Sequence, residues 1–289
     1  TTKITYMHKL FRVALLVLFS ISVNAQTTKF SPRSMTWKDV SSWRYMAPMS
    51  VRFSADGNWA AYAIVATEGN GEIILKNLNT DSVTRYSTGG STNPSMVFAE
   101  NGKWFAFKEY PKYKEAKAAS KMPPGKQLFE KLILVDLSNL KKTEFDKAGN
   151  YSFNGKTENY LSVVLNEDRA SNTMMGATGT NLLLHELSTG KKFSIAKINE
   201  YSFNKKGDIL AYTIQSNNKA ENGLFIMQIA DKKISVLDND TTTYKYLQWN
   251  EDKDALAVLK LSTDKKYKTE KGVVLGVKNV SGIPNIYTY

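Results

Sequence analysis

The stretch Val51-Arg52-Phe53-Ser54-Ala55-Asp56-Gly57-Asn58-Trp59-Ala60-Ala61-Tyr62 decides the fold, because the chain repeats it. An aromatic residue leads into a short polar turn, and a strand of small, apolar and aromatic residues leads out. The pattern returns as Val97-Phe98-Ala99-Glu100-Asn101-Gly102-Lys103-Trp104-Phe105-Ala106-Phe107. It returns again as Tyr151-Ser152-Phe153-Asn154-Gly155-Lys156, running into Tyr160-Leu161-Ser162-Val163. A fourth copy is Tyr201-Ser202-Phe203-Asn204-Lys205-Lys206-Gly207-Asp208-Ile209-Leu210-Ala211-Tyr212. A more worn fifth is Leu247-Gln248-Trp249-Asn250 followed by Ala255-Leu256-Ala257-Val258. The marker aromatics Phe53, Phe98, Phe153, Phe203 and Trp249 are spaced by 45, 55, 50 and 46 residues. Glycine in Asp56-Gly57, Asn101-Gly102 and Lys206-Gly207 suits turns that need φ > 0. These turns are not calcium loops, since no D-x-[DN]-x-[DN]-G pattern occurs.

Each unit holds a second recurring piece, an apolar strand running into a polar hairpin turn. Ile73 to Leu78 precedes Asn79-Thr80-Asp81, and Leu132 to Leu137 precedes Ser138-Asn139-Leu140. Leu182 to Leu187 precedes Ser188-Thr189-Gly190, after which Lys192-Phe193-Ser194-Ile195 returns, and Leu224 to Ile229 precedes Ala230-Asp231-Lys232. Two hairpins per unit make four strands of about 5–6 residues, which fills a repeat of this length. The reading is therefore an all-β fold, a β-propeller of four-stranded blades. A β-sandwich would show strands without a fixed period in the turn chemistry. Five blades are expected over residues 45–90, 91–148, 149–198, 199–243 and 244–289, the last incomplete, with the repeat aromatics packing between blades. Propellers close by joining the last blade to the first. The chain stops at Ile286-Tyr287-Thr288-Tyr289, still reading as strand, so the expectation is the front part of a longer protein.

The first 25 residues read as an export signal. His8, Lys9 and Arg12 form a positive region, Val13 to Val23 an apolar run, and Val23-Asn24-Ala25 a small-residue cleavage site before Gln26. That run is too short for a hydrocarbon core that takes ~20 residues to cross, so no stable membrane anchor is expected after cleavage. The first Met is Met7, so residues 1–6 read as upstream readthrough. The expected location is periplasmic or extracellular.

The 289 residues carry 39 Lys+Arg against 27 Asp+Glu, two His and no Cys. No disulfide, thiolate metal site or Cys nucleophile is possible. The signal removes Lys3, Lys9 and Arg12 and no acid, leaving +9 of the net charge of +12. Nearly all of it is Lys, with Arg only at 12, 33, 44, 52, 85 and 169, so a solvated basic surface fits better than nucleic-acid binding. Among chemical motifs, Gly89-Gly90-Ser91 and Gly176-Ala177-Thr178-Gly179 lack the spacing of a G-x-S-x-G elbow. No H-E-x-x-H, Walker A or G-x-G-x-x-G is present. His185, in Leu182-Leu183-Leu184-His185-Glu186-Leu187, is expected to face away from its apolar neighbours in a structural or solvated role. No catalytic, cofactor-binding or metal residue is assigned. Two insertions break the rhythm, Glu109 to Lys131 and Asn166 to Gly179, long enough to be binding loops or surface excursions.

The repeat, the export signal and the opening Met35-Thr36-Trp37-Lys38-Asp39-Val40-Ser41-Ser42-Trp43 together resemble the N-terminal propeller of exported serine peptidases of the prolyl oligopeptidase and dipeptidyl peptidase IV family. The matching stretches are Phe53 to Tyr62, Gly179 to Leu184, and Tyr201 to Asn204 leading into Ile209 to Tyr212. The resemblance implies a propeller that caps an α/β-hydrolase domain and admits peptide-sized substrates. That domain is absent from this chain, so no family catalytic residue carries over and the chain alone is expected to be inactive. The family's propeller Glu pair has a parallel in Glu167-Asp168, but no matching motif surrounds it and it is not assigned. The alternative is a non-enzymatic TolB-like periplasmic propeller that binds proteins or envelope components.

Overall fold

Each polar turn of the repeat reverses the chain between antiparallel strands in the computed structural model, which describes residues 34–91, 93–121, 128–166, 179–250, 253–262 and 271–289. Residues 1–25, which read as an export signal, lie outside the described residues. The chain divides into two units, residues 1–39 and 40–289. In the first, Thr36 donates its N–H and its hydroxyl to Asp39 Oδ2, both at 2.8 Å, at the start of helix α1 (Trp37–Ser41).

The second unit is a series of antiparallel meanders. Blade 1 contains β1 (Arg44–Met46) and β2 (Arg52–Phe53), both paired to β3 (Trp59–Ala66), then β4 (Gly71–Asn77) and β5 (Val83–Thr88). Blade 2 contains β6 (Met96–Phe98), β7 (Trp104–Glu109), β8 (Lys131–Asp136) and β9 (Lys142–Phe145). Blades 3 and 4 share one sheet of β10 (Ala148–Phe153), β11 (Tyr160–Leu165), β12 (Thr180–Glu186), β13 (Lys192–Phe203), β14 (Ile209–Ile214), β15 (Gly223–Gln228) and β16 (Ile234–Asn239). The expected boundary between residues 198 and 199 falls inside β13. That strand ends one blade and begins the next, turning at Lys197 (φ 61) where the register shifts. Blade 5 contains β17 (Thr243–Trp249), β18 (Ala255–Ser262), β19 (Lys271–Lys278) and β20 (Asn285–Thr288). The fifth blade, expected to be incomplete, thus carries four strands. Its last strand pairs Thr288 with Leu275 and Ile286 with Val277.

A β-strand sends successive side chains to opposite faces, and here both faces of the inner sheets are used. In β12, Leu183 packs toward blade 2, while Leu182 and Leu184 pack toward blade 4. Four apolar clusters result, one between each consecutive pair of blades. Ala61, Ile73 and Leu75 meet Phe105 and Phe107; Leu132 and Leu134 meet Leu161 and Val163. Leu182 and Leu184 meet Leu210 and Tyr212; Ile209 and Leu224 meet Leu256 and Leu275. Burying each such side chain contributes roughly 1.5–3 kcal/mol.

The marker aromatics sit opposite core residues that face the preceding blade: Phe98 opposite Phe105, Phe153 opposite Leu161, Phe203 opposite Leu210 and Trp249 opposite Leu256. All four pack on inter-blade clusters. Phe53 departs from the expectation and is 65% exposed. It sits opposite Ala60, on the face turned away from blade 2, and no described sheet precedes blade 1. The turn glycines Gly57, Gly102 and Gly207 have φ of 71°, 67° and 82°, the left-handed conformation their positions suggest.

Candidate functional site

Because strand direction alternates, the links between first and second strands collect at one end of the propeller and the links between second and third strands at the other. At the first end the turns interlock. The Glu158 carboxylate accepts the backbone N–H groups of both Glu100 and Asn101, from the turn of the preceding blade. Asn154 donates its side-chain amide to the Gly207 carbonyl at 2.8 Å, and Lys156 N–H reaches the Lys205 carbonyl at 3.3 Å. Gly207 lies so close that a Cβ there would stand 2.3 Å from the Asn154 carbonyl oxygen. Burial pushes the Glu158 carboxyl above its ordinary range, against the pull of the two N–H donors, which favour the anion. At this end the turns of blades 2, 3 and 4 are tied to one another, and a cavity of about 290 Å³ opens between the turns of blades 4 and 5, lined by Asn204, Lys206, Trp249 and Asp254 among others.

The opposite end is where the first long insertion leaves the propeller, and both insertions join a second strand to a third in the chain order. Residues 122–127 of one and 167–178 of the other, with Glu167 and Asp168, lie outside the described residues. The described part of the first insertion forms helix α2 (Tyr113–Ala119). Asn70, on the corresponding link of blade 1, accepts the Tyr113 N–H at 2.8 Å. Tyr110 donates its N–H to Thr88 Oγ1 at 3.0 Å and accepts the Gly89 N–H at 3.0 Å. Gly89 is required by this approach, since a Cβ there would lie 1.7 Å from the Pro111 carbonyl oxygen. The Gly89-Gly90 pair is therefore a packing device.

Between this insertion and blade 1 lies a cleft of about 700 Å³, lined by Ser41, Glu68, Asn70, Lys112, Tyr113 and Lys117 among others. Lys117 Nζ lies 3.9 Å from Glu68 and 5.4 Å from the centre of the Tyr113 ring. The cleft thus offers ammonium groups, a carboxylate and an aromatic face, which suits a charged, extended ligand by complementary contacts. No imidazole is among the described residues that line it. Among the described residues no group of His, Cys, Asp and Glu could hold a metal ion.

His185, the one described imidazole, lies elsewhere, and of the two expected roles, structural or solvated, its position is the structural one. It is 5% exposed and points with Leu183 and Leu187 into the interface with blade 2, where its ring meets Phe145 edge-on at 5.1 Å. Leu184 and Glu186 point the other way, as alternation demands. The strand is covered on both faces, so neither side is solvent. Burial, with help from the Lys192 charge, pushes the imidazole below its usual range.

Neither Asn70 nor Glu158 stands out in the sequence. Both act on residues distant in the chain, and only the longer polar run Gly155-Lys156-Thr157-Glu158 sets that turn apart from its relatives.

No protein-family model matches the chain, and no curated protein matches it. Among solved structures it is similar to hydrazine synthase of Kuenenia stuttgartiensis, at 12% identity and a TM-score of 0.43, over 84% of this chain and 65% of that one. It is similar to a prolyl endopeptidase at 12% identity and a TM-score of 0.45, over 81% of this chain and 34% of that one. The β-propeller domain of the trilobed protease of Pyrococcus furiosus matches at 12% identity and a TM-score of 0.44, over 82% and 70% of the two chains. The chain thus spans about a third of the prolyl endopeptidase and about two thirds of the hydrazine synthase chain. The assignment as a propeller rests on the meandering sheets and the four inter-blade cores. Among the described residues no helix is long and apolar enough to cross a membrane.

Proposed function

We propose that the chain is the substrate-gating propeller of an exported serine peptidase of the prolyl oligopeptidase kind, itself without hydrolytic activity. The observation that carries the reading is the charged and aromatic cleft walled by the described part of the first long insertion, at the end of the propeller where second strands pass to third strands. Such an end can hold an extended peptide by its charges and exclude a folded protein by size. The export signal and the resemblance of the repeat support the same reading. A serine nucleophile with its acid and base would be supplied by a further domain of the whole protein.

Reading the coding DNA beyond the Tyr289 codon tests this. A frame encoding a G-x-S-x-G elbow followed by an Asp and a His supports it. A frame that closes without one overturns it and favours a binding propeller of the TolB type. The isolated chain should bind unstructured peptides without cleaving them, and Lys117→Glu should weaken that binding by about tenfold if the cleft is the site.

A further inference from the structure

A second cavity, of about 230 Å³, opens between blades 1 and 2 beside the outer strand of blade 1. Strand alternation directs Tyr86 of β5, Phe107 and Glu109 of β7, and Ile133 of β8 into this gap. Tyr86 stands opposite Ile73, and Phe107 opposite Ile133, and these three apolar residues belong to the first inter-blade core. The Tyr86 and Phe107 rings form an aromatic wall, their centres 5.0 Å apart. Arg85 and Lys142 complete the charged part of the lining.

Two polar groups here are left over. The Tyr86 hydroxyl is fully buried, and no protein group bonds to it. Glu109 forms no ion pair with any described residue. Lys108 is held by Glu130 at 2.6 Å, and Lys131 by Glu144 and Asp146, both at 3.4 Å. Lys142 lies 3.9 Å from Glu144, and Arg85 lies 3.4 Å from Glu72. Each lining cation has a carboxylate within 4 Å, Arg85 sharing Glu72 with Arg44 and Lys142 sharing Glu144 with Lys131, whereas Glu109 has no cation within that distance among the described residues. A carboxylate beside aromatic faces is the chemistry that recognises an ammonium group. A buried hydroxyl without a partner is destabilising, and a ligand that hydrogen-bonds to it removes that penalty.

We propose that this inter-blade cavity binds a small organic ammonium ion, with its charge on Glu109, an N–H donated to the Tyr86 hydroxyl oxygen and its apolar part against Phe107 and Ile133. The volume suits a fragment-sized ligand and is below that of pockets for drug-sized molecules. The site is separate from the cleft at the connection end and does not depend on the peptidase reading.

The test uses the whole chain at pH 7 with three probes of one shape, benzylamine as the cation, benzyl alcohol as the neutral form and phenylacetate as the anion, followed by calorimetry and NMR titration. Benzylamine is expected to bind saturably and about tenfold more tightly than benzyl alcohol, and Glu109→Gln to erase that difference. Tyr86→Phe should weaken benzylamine about fivefold without lowering the melting temperature, because it deletes a hydroxyl that has no protein partner. Equal binding of benzylamine and benzyl alcohol overturns the proposal. So does tighter binding of phenylacetate, which would mean that Lys142 and Arg85 read the ligand. Absence of saturation with all three probes also overturns it. Should Glu109→Gln fail to fold, the comparison of the three probes on the unaltered chain decides the matter.

Discussion

Removing the Glu158 side chain should loosen blades 2 and 3 from each other. Its carboxylate accepts two backbone N–H groups, of Glu100 and Asn101, and a hydrogen bond to a charged group is worth about 1.5–3 kcal/mol. Two such bonds set an upper value of roughly 3–6 kcal/mol, from which two terms subtract. The Glu100 and Asn101 turn is exposed, so water replaces part of what the N–H groups lose, and deletion also recovers the desolvation that pushes this carboxyl up. A net loss of about 2 kcal/mol remains for Glu158→Ala. In a domain of this size that lowers the melting temperature by roughly 4–8 °C. Glu158→Gln should fall between, because its amide oxygen can accept one N–H while its NH₂ faces the other donor. Calorimetry at pH 7 reads the melting temperature, and hydrogen exchange reads the two amides one by one. A Glu158→Ala protein that melts within about 1 °C of the parent, with Glu100 and Asn101 amides as slow as before, would refute the reasoning.

Four further outcomes follow from the same contacts. Gly207→Ala should destabilise by roughly 3 kcal/mol or more, combining a left-handed φ of 82° with a Cβ placed 2.3 Å from a carbonyl oxygen; Gly57→Ala should lose only about 1 kcal/mol, since nothing lies within 4 Å of its Cβ, and paired denaturant titrations compare them. Phe105→Ala, fully buried between blades 1 and 2, should lose about 3–5 kcal/mol in the same assay. His185 holds its imidazole below the ordinary value of about 6.5, so as pH falls below that value the unfolded chain takes a proton that the folded chain refuses. Stability should therefore decline below about pH 6.5, and less steeply in His185→Leu, as measured by urea midpoints at two pH values; equal slopes would exclude His185 as the cause. Lys117→Glu should spare the melting temperature while weakening peptide binding, since its ion pair with Glu68 is exposed and loose at 3.9 Å.

The sequence by itself determined the blades. Turn chemistry and strand alternation are local properties that recur with the repeat, so Gly57, Gly102 and Gly207 mark their turns and Phe98, Phe153, Phe203 and Trp249 mark the inner strands. The same local logic failed where a face had to be assigned a neighbour. His185 was legible as a strand residue opposite in direction to Leu184, but only the stacking of blade 2 against blade 3 makes that direction the interior. Phe53 carries the same pattern as the other markers and is exposed, because burial depends on a sheet standing opposite. The cleft was less legible still. Asn70, Tyr113 and Lys117 are more than forty residues apart at the extremes and meet only when two blades are packed side by side. Periodicity specifies the unit; which unpaired carboxylate, hydroxyl or amide finds a partner is decided by contacts between units, where sequence distance no longer tracks distance in space.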